Sequence, residues 1–276
     1  YQIIATGSSS FDLANSLAEP LTGRAIHFQL YPLSLLELSA NQNRFELDSH
    51  LEHYLRFGQY PDIVLAKDEQ KASMLLDELT GAYLFKDILS WHDIRNPAVL
   101  NQLLRALAFQ IGSEVSYREL SSLVGVSVAT VQNYIDILEK TFIVYRLTSY
   151  SRNLRNELKK SFKVYFYDLG IRNTLIGNTN PLELRNDKGA LWENFCLTER
   201  LKRNQAHDLR PNRFFWRTYQ QQEIDYMEEK GGKLHAFEFK WQTKSKIKPP
   251  PIFMESYPDS TFQVVGHHNY GDFLLD

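Results

Sequence analysis

The sequence predicts a mixed α/β protein with several domains. Its 276 residues are enough for two or more domains. Apolar residues recur at helical spacing between Ala98 and Ile111, which is typical of an amphipathic helix. Further along, two strand-like segments flank Gly231-Gly232, and this arrangement is a good hairpin signal. We expect four parts, with boundaries at residues 1–50, 51–95, 96–168 and 169–276.

The first part carries two candidate strands and two candidate helices. The run from Tyr1 to Ser10 is apolar and ends in a polar turn, so we expect a short buried strand and then a helix through about Leu17. A second strand is expected from Ala25 to Leu30. Pro32 and a Ser34 cap would start the next helix. Two isolated strands cannot form a stable parallel core, so this part needs partner strands.

The third part has the pattern of a helix-turn-helix. Ser116 and Glu119 have the spacing of a capping box, which predicts a short helix that ends at Val124. Gly125 makes the turn, and Ser127 caps a longer helix through Lys140. This order is typical of a DNA-binding helix pair. Strands over 142–147 and 162–167 would form its wing.

Nucleic-acid contacts are expected from this part. In the longer helix, Val128, Val131, Ile135 and Leu138 form the predicted buried stripe. The outward side chains of Thr130, Gln132 and Asn133 could contact base edges, although that face has no Arg or Lys. The phosphate contacts would come from the basic connection that follows, namely Arg152, Arg155, Lys159, Lys160 and Lys163. Alternatively, the helix pair only packs between neighbouring domains.

The register of the C-terminal hairpin follows from its short loop. If Lys230 pairs with Lys233, then Asp225 lies opposite Glu238 and Glu223 lies opposite Lys240. These four side chains would share one face. The other face would be an apolar one that points into a core, with Ile224, Tyr226, Phe237, Phe239 and Trp241.

Two opposed carboxylates in this hairpin need compensation, because like charges directly opposite each other destabilise a sheet. A divalent cation such as Mg²⁺ takes carboxylate oxygens, so Asp225 and Glu238 are the predicted metal ligands. Lys240 could then stabilise charge on a phosphate. The alternative is a solvated sheet face on which Glu223 and Lys240 form an ordinary ion pair.

Glu193 strengthens the metal hypothesis. It lies in a predicted helix from about Lys188 to Asn204, and its neighbours at three and four residues are small or apolar. A carboxylate on such a stripe is not expected to be simply solvated, because burying an unpaired charge is expensive. Helix Glu193, strand Asp225 and the Glu238-x-Lys240 motif together resemble the PD-(D/E)xK restriction-endonuclease superfamily. The resemblance implies that the acidic residues hold Mg²⁺, that Glu193 positions water or acts as an outer ligand, and that Lys240 assists phosphodiester hydrolysis.

A second resemblance covers nearly the whole chain. The motifs Thr6-Gly-Ser-Ser-Ser10, Leu21-Thr-Gly-Arg24, Tyr31-Pro-Leu-Ser34 and Phe57-Gly-Gln-Tyr-Pro-Asp62 resemble an AAA-type ATPase family with a winged helix and a restriction-endonuclease-like C-terminal domain. The resemblance implies that residues 1–50 end the ATPase core and that 51–95 form its helical lid. It also implies that Ser8, Ser9 and Arg24 would face the nucleotide.

The chain departs from this family at one motif. It has no Gly-x-x-x-x-Gly-Lys-Ser/Thr loop, whose backbone and Lys hold the phosphates of ATP. The acidic pair Asp77-Glu78 resembles a Walker B motif, but apolar residues at Leu75, Leu79, Ala82 and Phe85 predict an ordinary helix there. We therefore expect only a partial P-loop ATPase remnant, with ATP bound only by a longer native chain.

Composition limits the other function classes. The formal charge is −2, so a nucleic-acid surface must be local. The single cysteine, Cys196, excludes an internal disulfide and multi-cysteine zinc motifs. We expect a cytoplasmic protein with no membrane span and no leader. DNA is a candidate partner, and self-association is left open.

Two functions follow as hypotheses. The first is an AAA-type ATPase family protein whose C-terminal domain binds Mg²⁺ and acts on nucleic acid. The second is a non-catalytic binding or assembly protein, in which the nuclease fold survives as a scaffold.

Overall fold

The structure is a computed structural model. It describes residues 28–81, 96–150, 162–242 and 247–275, together with positions 4, 6, 7, 26 and 94. Within these ranges the protein is mixed α/β, with eleven α-helices and one sheet of seven strands. This agrees with the predicted class.

The first seven helices are α1 Leu35–Leu38, α2 Arg44–Phe57, α3 Pro61–Val64, α4 Glu69–Thr80, α5 Pro97–Phe109, α6 Tyr117–Val124 and α7 Val128–Lys140. The other four are α8 Leu169–Leu175, α9 Lys188–Ala206, α10 Pro251–Ser256 and α11 Tyr270–Leu274. The strands are β1 Glu114–Val115, β2 Val144–Ser149, β3 Phe162–Phe166, β4 Asn212–Arg217, β5 Glu223–Lys230, β6 Lys233–Lys240 and β7 Thr261–Gly266.

Side-chain caps fix several helix starts where the sequence predicts them. Ser34 and Glu37 form a reciprocal capping box at α1. The Ser116 hydroxyl accepts from the backbone N–H of Glu119 at the start of α6, and Ser127 caps α7 in the same way. Gly125 ends α6 in the left-handed conformation, as the predicted turn requires.

One sheet runs through the described part of the chain. Its strand order is β1-β3-β2-β4-β5-β6-β7. The pairs β2–β4 and β6–β7 are parallel, and the other four pairs are antiparallel. The strands before and after the expected boundary at residue 168 therefore lie in the same sheet. The boundary itself stays a prediction.

The main hydrophobic core crosses the same boundary. It contains buried residues from helices and strands of the third and fourth parts, such as Leu103, Ile135, Tyr165, Trp192 and Phe237. A smaller cluster on the other side of the sheet includes Trp216 and Phe253. Burial of large side chains in one continuous core ties these parts together energetically.

The predicted apolar face of the hairpin is wrong at Ile224. This residue belongs to the smaller cluster, whereas Tyr226, Phe237 and Phe239 belong to the main core. The cause is a β-bulge, because Phe214 pairs with Met227 and Trp216 pairs with Ile224. The two β5 residues Asp225 and Tyr226 thus lie opposite one β4 residue, and the side-chain alternation shifts.

A close contact between α2 and α8 explains part of the Phe57-to-Asp62 motif. Gly58 has φ +83°, and a Cβ built on it would lie 2.1 Å from Asp168 Oδ1. A Cβ on Gly170 would lie 2.0 Å from the carbonyl oxygen of Phe57. The carboxylate of Asp168 accepts from the backbone N–H groups of Gln59 and Ile171. Gly170 is needed because the two backbones approach so closely, and Gly58 is needed because of its positive φ and the adjacent Asp168 carboxylate.

A buried ion pair joins the first part of the chain to α9. Lys202 Nζ donates to Glu199 Oε1 at 2.8 Å, to the Leu33 carbonyl at 3.0 Å and to Gln59 Oε1 at 3.2 Å. Glu199 Oε2 accepts from the backbone N–H of Leu35 at 2.5 Å. Both charged side chains are almost fully buried. Their partners satisfy both charges, as burial requires.

The outer edge of β7 is partly covered by one side chain. The Asn269 amide accepts from Gly266 N–H at 2.7 Å and donates to the Val264 carbonyl at 2.9 Å. These are the backbone groups that would otherwise be open to a further strand. Asn269 therefore protects the sheet from edge-to-edge association.

The structure differs from two further expectations, a strand over 25–30 and a buried Val128. The part of the predicted strand over 25–30 that the structure describes without gaps, residues 28–30, is not in a strand. Val128 is 36% exposed, so it is not part of the buried stripe, whereas Val131, Ile135 and Leu138 are fully buried. Val128 is the first residue of α7, and this end of the helix lies outside the core.

In the described parts of the chain, no helix combines the length and apolar character needed to cross a bilayer.

Candidate functional site

The hairpin forms with the predicted register. The paired positions run from Lys230–Lys233 to Tyr226–Phe237. Gly231 and Gly232 both have positive φ, 58° and 78°, which is what a two-residue loop of this kind requires. The short loop therefore set the register, as expected from the sequence.

Asp225 lies where the regular pairing ends. Its Oδ2 accepts from the backbone N–H of Phe239 at 2.8 Å. The Asp225 carboxylate thus accepts a hydrogen bond from a backbone N–H group of β6. The residue is 8% exposed, so the bulge has turned a charged group inward rather than to solvent.

Lys240 pairs with the two predicted metal ligands. Its Nζ lies 2.7 Å from Glu238 Oε1 and 3.9 Å from Asp225 Oδ2. An ion pair between Glu223 and Lys240 was the alternative to a metal site, and in the structure each of the two side chains pairs with other residues. The bulge on β5 moves Glu223 toward β3 and β4, where it meets Lys163 and Arg217.

Lys163 is the centre of the second half of the site. Its Nζ lies 3.0 Å from Glu193 Oε1 and 2.5 Å from Glu223 Oε1. Tyr165, two residues along β3, donates its hydroxyl to Glu193 Oε1 at 2.6 Å. Lys163 is 2% exposed. It was expected among the phosphate-contacting residues of the basic connection, and that role is wrong because the ammonium group is buried among carboxylates.

The sequence patterns used above do not identify Lys163 and Tyr165 as partners of Glu193, although the sequence contains one signal for Lys163. The strand Phe162–Phe166 has a single charged residue in an otherwise apolar and aromatic run. A lysine in a strand that is buried on both faces requires a carboxylate partner. The identity of that partner depends on the packing of β3 against α9 and β5, which local patterns do not contain.

The pKa values of three carboxylates in the cluster, Glu193, Asp225 and Glu238, are raised. Burial raises the pKa of Glu193 to about 7, and the charge of Asp225 adds to the rise against the opposing effect of Lys163. Burial also raises the pKa of Asp225, while Lys163 and Lys240 oppose it. The pKa of Glu238 is raised by burial and by Asp225. The ammonium groups thus compensate the cluster incompletely.

Two ammonium groups of the chain lie among the carboxylates of this cluster. Among the residues that the structure describes, no group of three or more His, Cys, Asp or Glu side chains is placed to hold one. The donors have the right chemistry for Mg²⁺, but Lys240 Nζ pairs with Glu238 and Lys163 Nζ pairs with Glu193 and Glu223. A cation between these oxygens would meet an ammonium charge. Mg²⁺ binding by Asp225 and Glu238 stays a prediction.

The predicted base-contacting residues lie at the start and middle of α7. Gln132 and Asn133 are exposed, and the Thr130 hydroxyl is 2.9 Å from the Ser127 hydroxyl. Arg152, Arg155, Lys159 and Lys160 lie outside the described residues. So do Ser8, Ser9 and Arg24, the residues expected to face a nucleotide. The nucleic-acid and nucleotide contacts therefore stay predictions.

Three family models match successive segments of the chain. Residues 1–39 match a family described as AAA domain. Residues 48–182 match a domain of unknown function (DUF8612), and residues 188–269 match another domain of unknown function (DUF4143). The DUF8612 segment contains β1 to β3, and the DUF4143 segment contains β4 to β7.

Curated relatives come from bacteria and archaea. An uncharacterized protein of Mycobacterium tuberculosis is 31% identical over 243 residues, which are 87% of this chain and 52% of the relative. One of Haemophilus influenzae is 29% identical over 221 residues, 75% of this chain and 52% of the relative. One of Methanocaldococcus jannaschii is 25% identical over 219 residues, 74% of this chain and 48% of the relative. The chain spans about half the length of these relatives. No solved structure matches it.

Proposed function

We propose that this chain is associated with an AAA-like ATPase family. The matches to the AAA domain and to DUF4143 support this association. The chain acts as part of such an ATPase. Its C-terminal α/β region serves as a non-catalytic binding and assembly module, and its nuclease-like cluster of Glu193, Asp225, Glu238 and Lys240 is a stabilising ion-pair network.

One observation carries this proposal. The ammonium groups of Lys163 and Lys240 contact the carboxylates of Glu193, Glu223 and Glu238 at 2.5 to 3.0 Å. The positions that a nuclease-like site would give to a cation thus already have positive charge from the chain itself. Ion pairs of this kind, enclosed in a sheet, hold strands and helix in one arrangement.

A metal titration tests the proposal. We expect the thermal unfolding midpoint to be unchanged by Mg²⁺ or Mn²⁺, since a ligand stabilises a protein only when it binds the folded state. Asp225→Asn should show the same lack of response. We also expect no cleavage of single- or double-stranded DNA with either metal. Metal-dependent cleavage that disappears in Asp225→Asn would refute the non-catalytic role.

A second candidate is the Mg²⁺-dependent nuclease-like function acting on nucleic acid. It is favoured by the raised pKa of Glu193, Asp225 and Glu238, because a further cation would relieve the remaining repulsion. Lys240 would have to move away from Glu238 and Asp225, and its side chain is 42% exposed. Under this candidate, saturable Mg²⁺ binding should depend on Asp225 and Glu238 and should strengthen in Lys240→Ala.

The ATPase association has its own test. ATP binding is expected only when a segment with a phosphate-binding loop is present, because this chain contains no such loop. A longer chain that carries the loop should bind ATP, and Arg24→Ala should weaken that binding. Tight ATP binding by residues 1–276 alone would show that the nucleotide site has been misplaced.

A further inference from the structure

A cavity of about 220 Å³ lies between β2 and β4, apart from the carboxylate cluster. The two strands pair in parallel at Thr148–Phe214 and Ser149–Phe215. The cavity is lined by residues that precede these pairs, Tyr145 to Leu147 on β2 and Pro211 to Arg213 at β4. Leu197 of α9 and Tyr226 of β5 complete its wall. It therefore lies at the seam where the DUF8612 and DUF4143 segments share the sheet.

Arg213 brings a positive charge to this cavity. Its cross-strand neighbour on β5 is Glu228. That carboxylate accepts from Arg200 Nε at 3.0 Å, from Arg200 Nη2 at 2.8 Å and from the Asn204 amide at 2.7 Å. In the described ranges, Arg213 has no ion pair and no side-chain hydrogen bond. The guanidinium is thus available to a ligand.

The other guanidinium at the cavity is already engaged. Arg146 donates to Asp136 Oδ1 at 2.7 Å and also contacts Glu139 and Tyr117. Its charge is therefore neutralised by residues of α7. The contrast matters because two arginines at one cavity would otherwise be interchangeable. Among the described residues that line the cavity, Arg213 is therefore the better placed of the two to recruit an anion.

Two tyrosines, Tyr145 and Tyr226, line the cavity together with Arg213. Burial raises the pKa of Tyr145 and Tyr226, and the charge of Arg213 opposes the rise in both. The same opposing effect acts on Tyr31 and Tyr167. Arg213 therefore acts electrostatically on this whole group. A guanidinium at the wall of a cavity raises the local concentration of anions there.

We propose that this cavity binds a small oxyanion of the phosphate type through the guanidinium of Arg213. The fork of an arginine matches two oxygens of a phosphate, and a phosphate has further oxygens for solvent at the cavity mouth. The volume is below the roughly 300–1,000 Å³ of pockets for drug-sized ligands. The cavity thus suits a free phosphate or one phosphoryl group and is too small for a whole nucleotide.

The test is calorimetric titration of the full chain with inorganic phosphate at constant ionic strength. We expect saturable binding in the millimolar range, and at least about tenfold weaker binding in Arg213→Gln, because a charged hydrogen-bonded pair is lost. Arg213 is exposed, so this variant should fold like the wild type, which urea unfolding will check.

Arg210→Gln is the matched control. Arg210 lies three residues earlier, is highly exposed and pairs with Asp208 at 3.1 Å. Its loss should leave phosphate binding unchanged. Equal binding by both variants would overturn the site, as would the absence of binding by the wild type. Acetate that binds as tightly as phosphate would overturn the assignment of the ligand class. None of these outcomes depends on Mg²⁺, DNA cleavage or ATP.

Discussion

At the scale of single residues, Lys163 decides the character of the carboxylate cluster. Its ammonium group is buried and lies between Glu193 and Glu223, which belong to a helix and a strand far apart in sequence. Removing water from such charges is unfavourable, and their mutual attraction offsets this only when each has a partner. The cluster is therefore sensitive to the loss of any one member.

Lys163→Met is expected to lower the free energy of unfolding by about 3–5 kcal/mol, because it leaves buried carboxylates without their partner. Urea unfolding at pH 8 measures this. The double variant Lys163→Met, Glu193→Gln should recover part of the loss, since one unpaired charge disappears with the second change. Lys233→Met, at an exposed strand position, is the control and should change stability by less than about 0.5 kcal/mol. A similarly small effect at Lys163 would contradict the role of its ion pairs.

Glu193 should make stability depend on pH. Its pKa is about 7 in the folded protein, against an ordinary value of 4.5. The folded state holds this proton more tightly, so the stabilisation is fully present below pH 4.5 and is lost as the pH rises through 7. The loss is about 3 kcal/mol.

Glu193→Gln should therefore flatten the pH profile of unfolding by about that amount between pH 5 and 8. Urea unfolding at a series of pH values gives the comparison with the wild type. Glu183→Gln changes an exposed carboxylate and should retain the wild-type profile. Parallel profiles for Glu193→Gln and the wild type would mean that Glu193 titrates normally.

At the scale of elements, sequence signals were reliable where a feature depends only on residues close to it in the chain. The caps at Ser34, Ser116 and Ser127 and the loop at Gly231-Gly232 are set by residues within a few positions, so helix starts and hairpin register could be predicted. The bulge at Asp225 could not. It depends on how β5 meets β4, and it moved Ile224 to the other face and Glu223 to Lys163.

The same distinction explains the candidate site. Helix Glu193, strand Asp225 and Glu238-x-Lys240 are visible in the sequence because each lies in a recognisable element. The partner of Glu193 is not visible, because β3 reaches it only through tertiary packing. Cations supplied by the chain itself are therefore the part of a charged site that sequence patterns reveal least.

Gly170→Ala should be strongly destabilising. The new Cβ would lie 2.0 Å from the carbonyl oxygen of Phe57, and a backbone atom cannot turn aside as a side chain can. We expect a loss of about 3 kcal/mol or more in urea unfolding. Gly189→Ala, also at a helical glycine but with no atom within 4 Å of the new Cβ, should gain up to about 1 kcal/mol. Equal effects would mean that α2 and α8 can separate without cost.

At the scale of the whole molecule, one sheet joins the two segments in the part of the chain that the structure describes, and we expect them to unfold as one cooperative unit. The pairing of β2 with β4 joins the DUF8612 segment to the DUF4143 segment. Arg172 of the DUF8612 segment also contacts Asp187, which lies just before the DUF4143 segment. We expect fragments 1–185 and 186–276 to lack cooperative thermal unfolding when produced separately, because each would expose half of the core and an open strand edge.

Mixing or coexpressing the two fragments should restore the transition, as followed by circular dichroism and size-exclusion chromatography. A full chain cut at the same place after folding is the control and should keep its transition, because the sheet is already formed. Two fragments that each melt cooperatively on their own would show that the segments are independent domains.

The parallel pair at Thr148–Phe214 and Ser149–Phe215 also has a consequence for inheritance. A recombination event that separated the two segments would leave each descendant with an exposed strand that promotes aggregation. Selection should therefore keep the segments adjacent in genomes. Replacements at these four positions should also be correlated across the seam, so that a larger side chain on one strand accompanies a smaller one on the other.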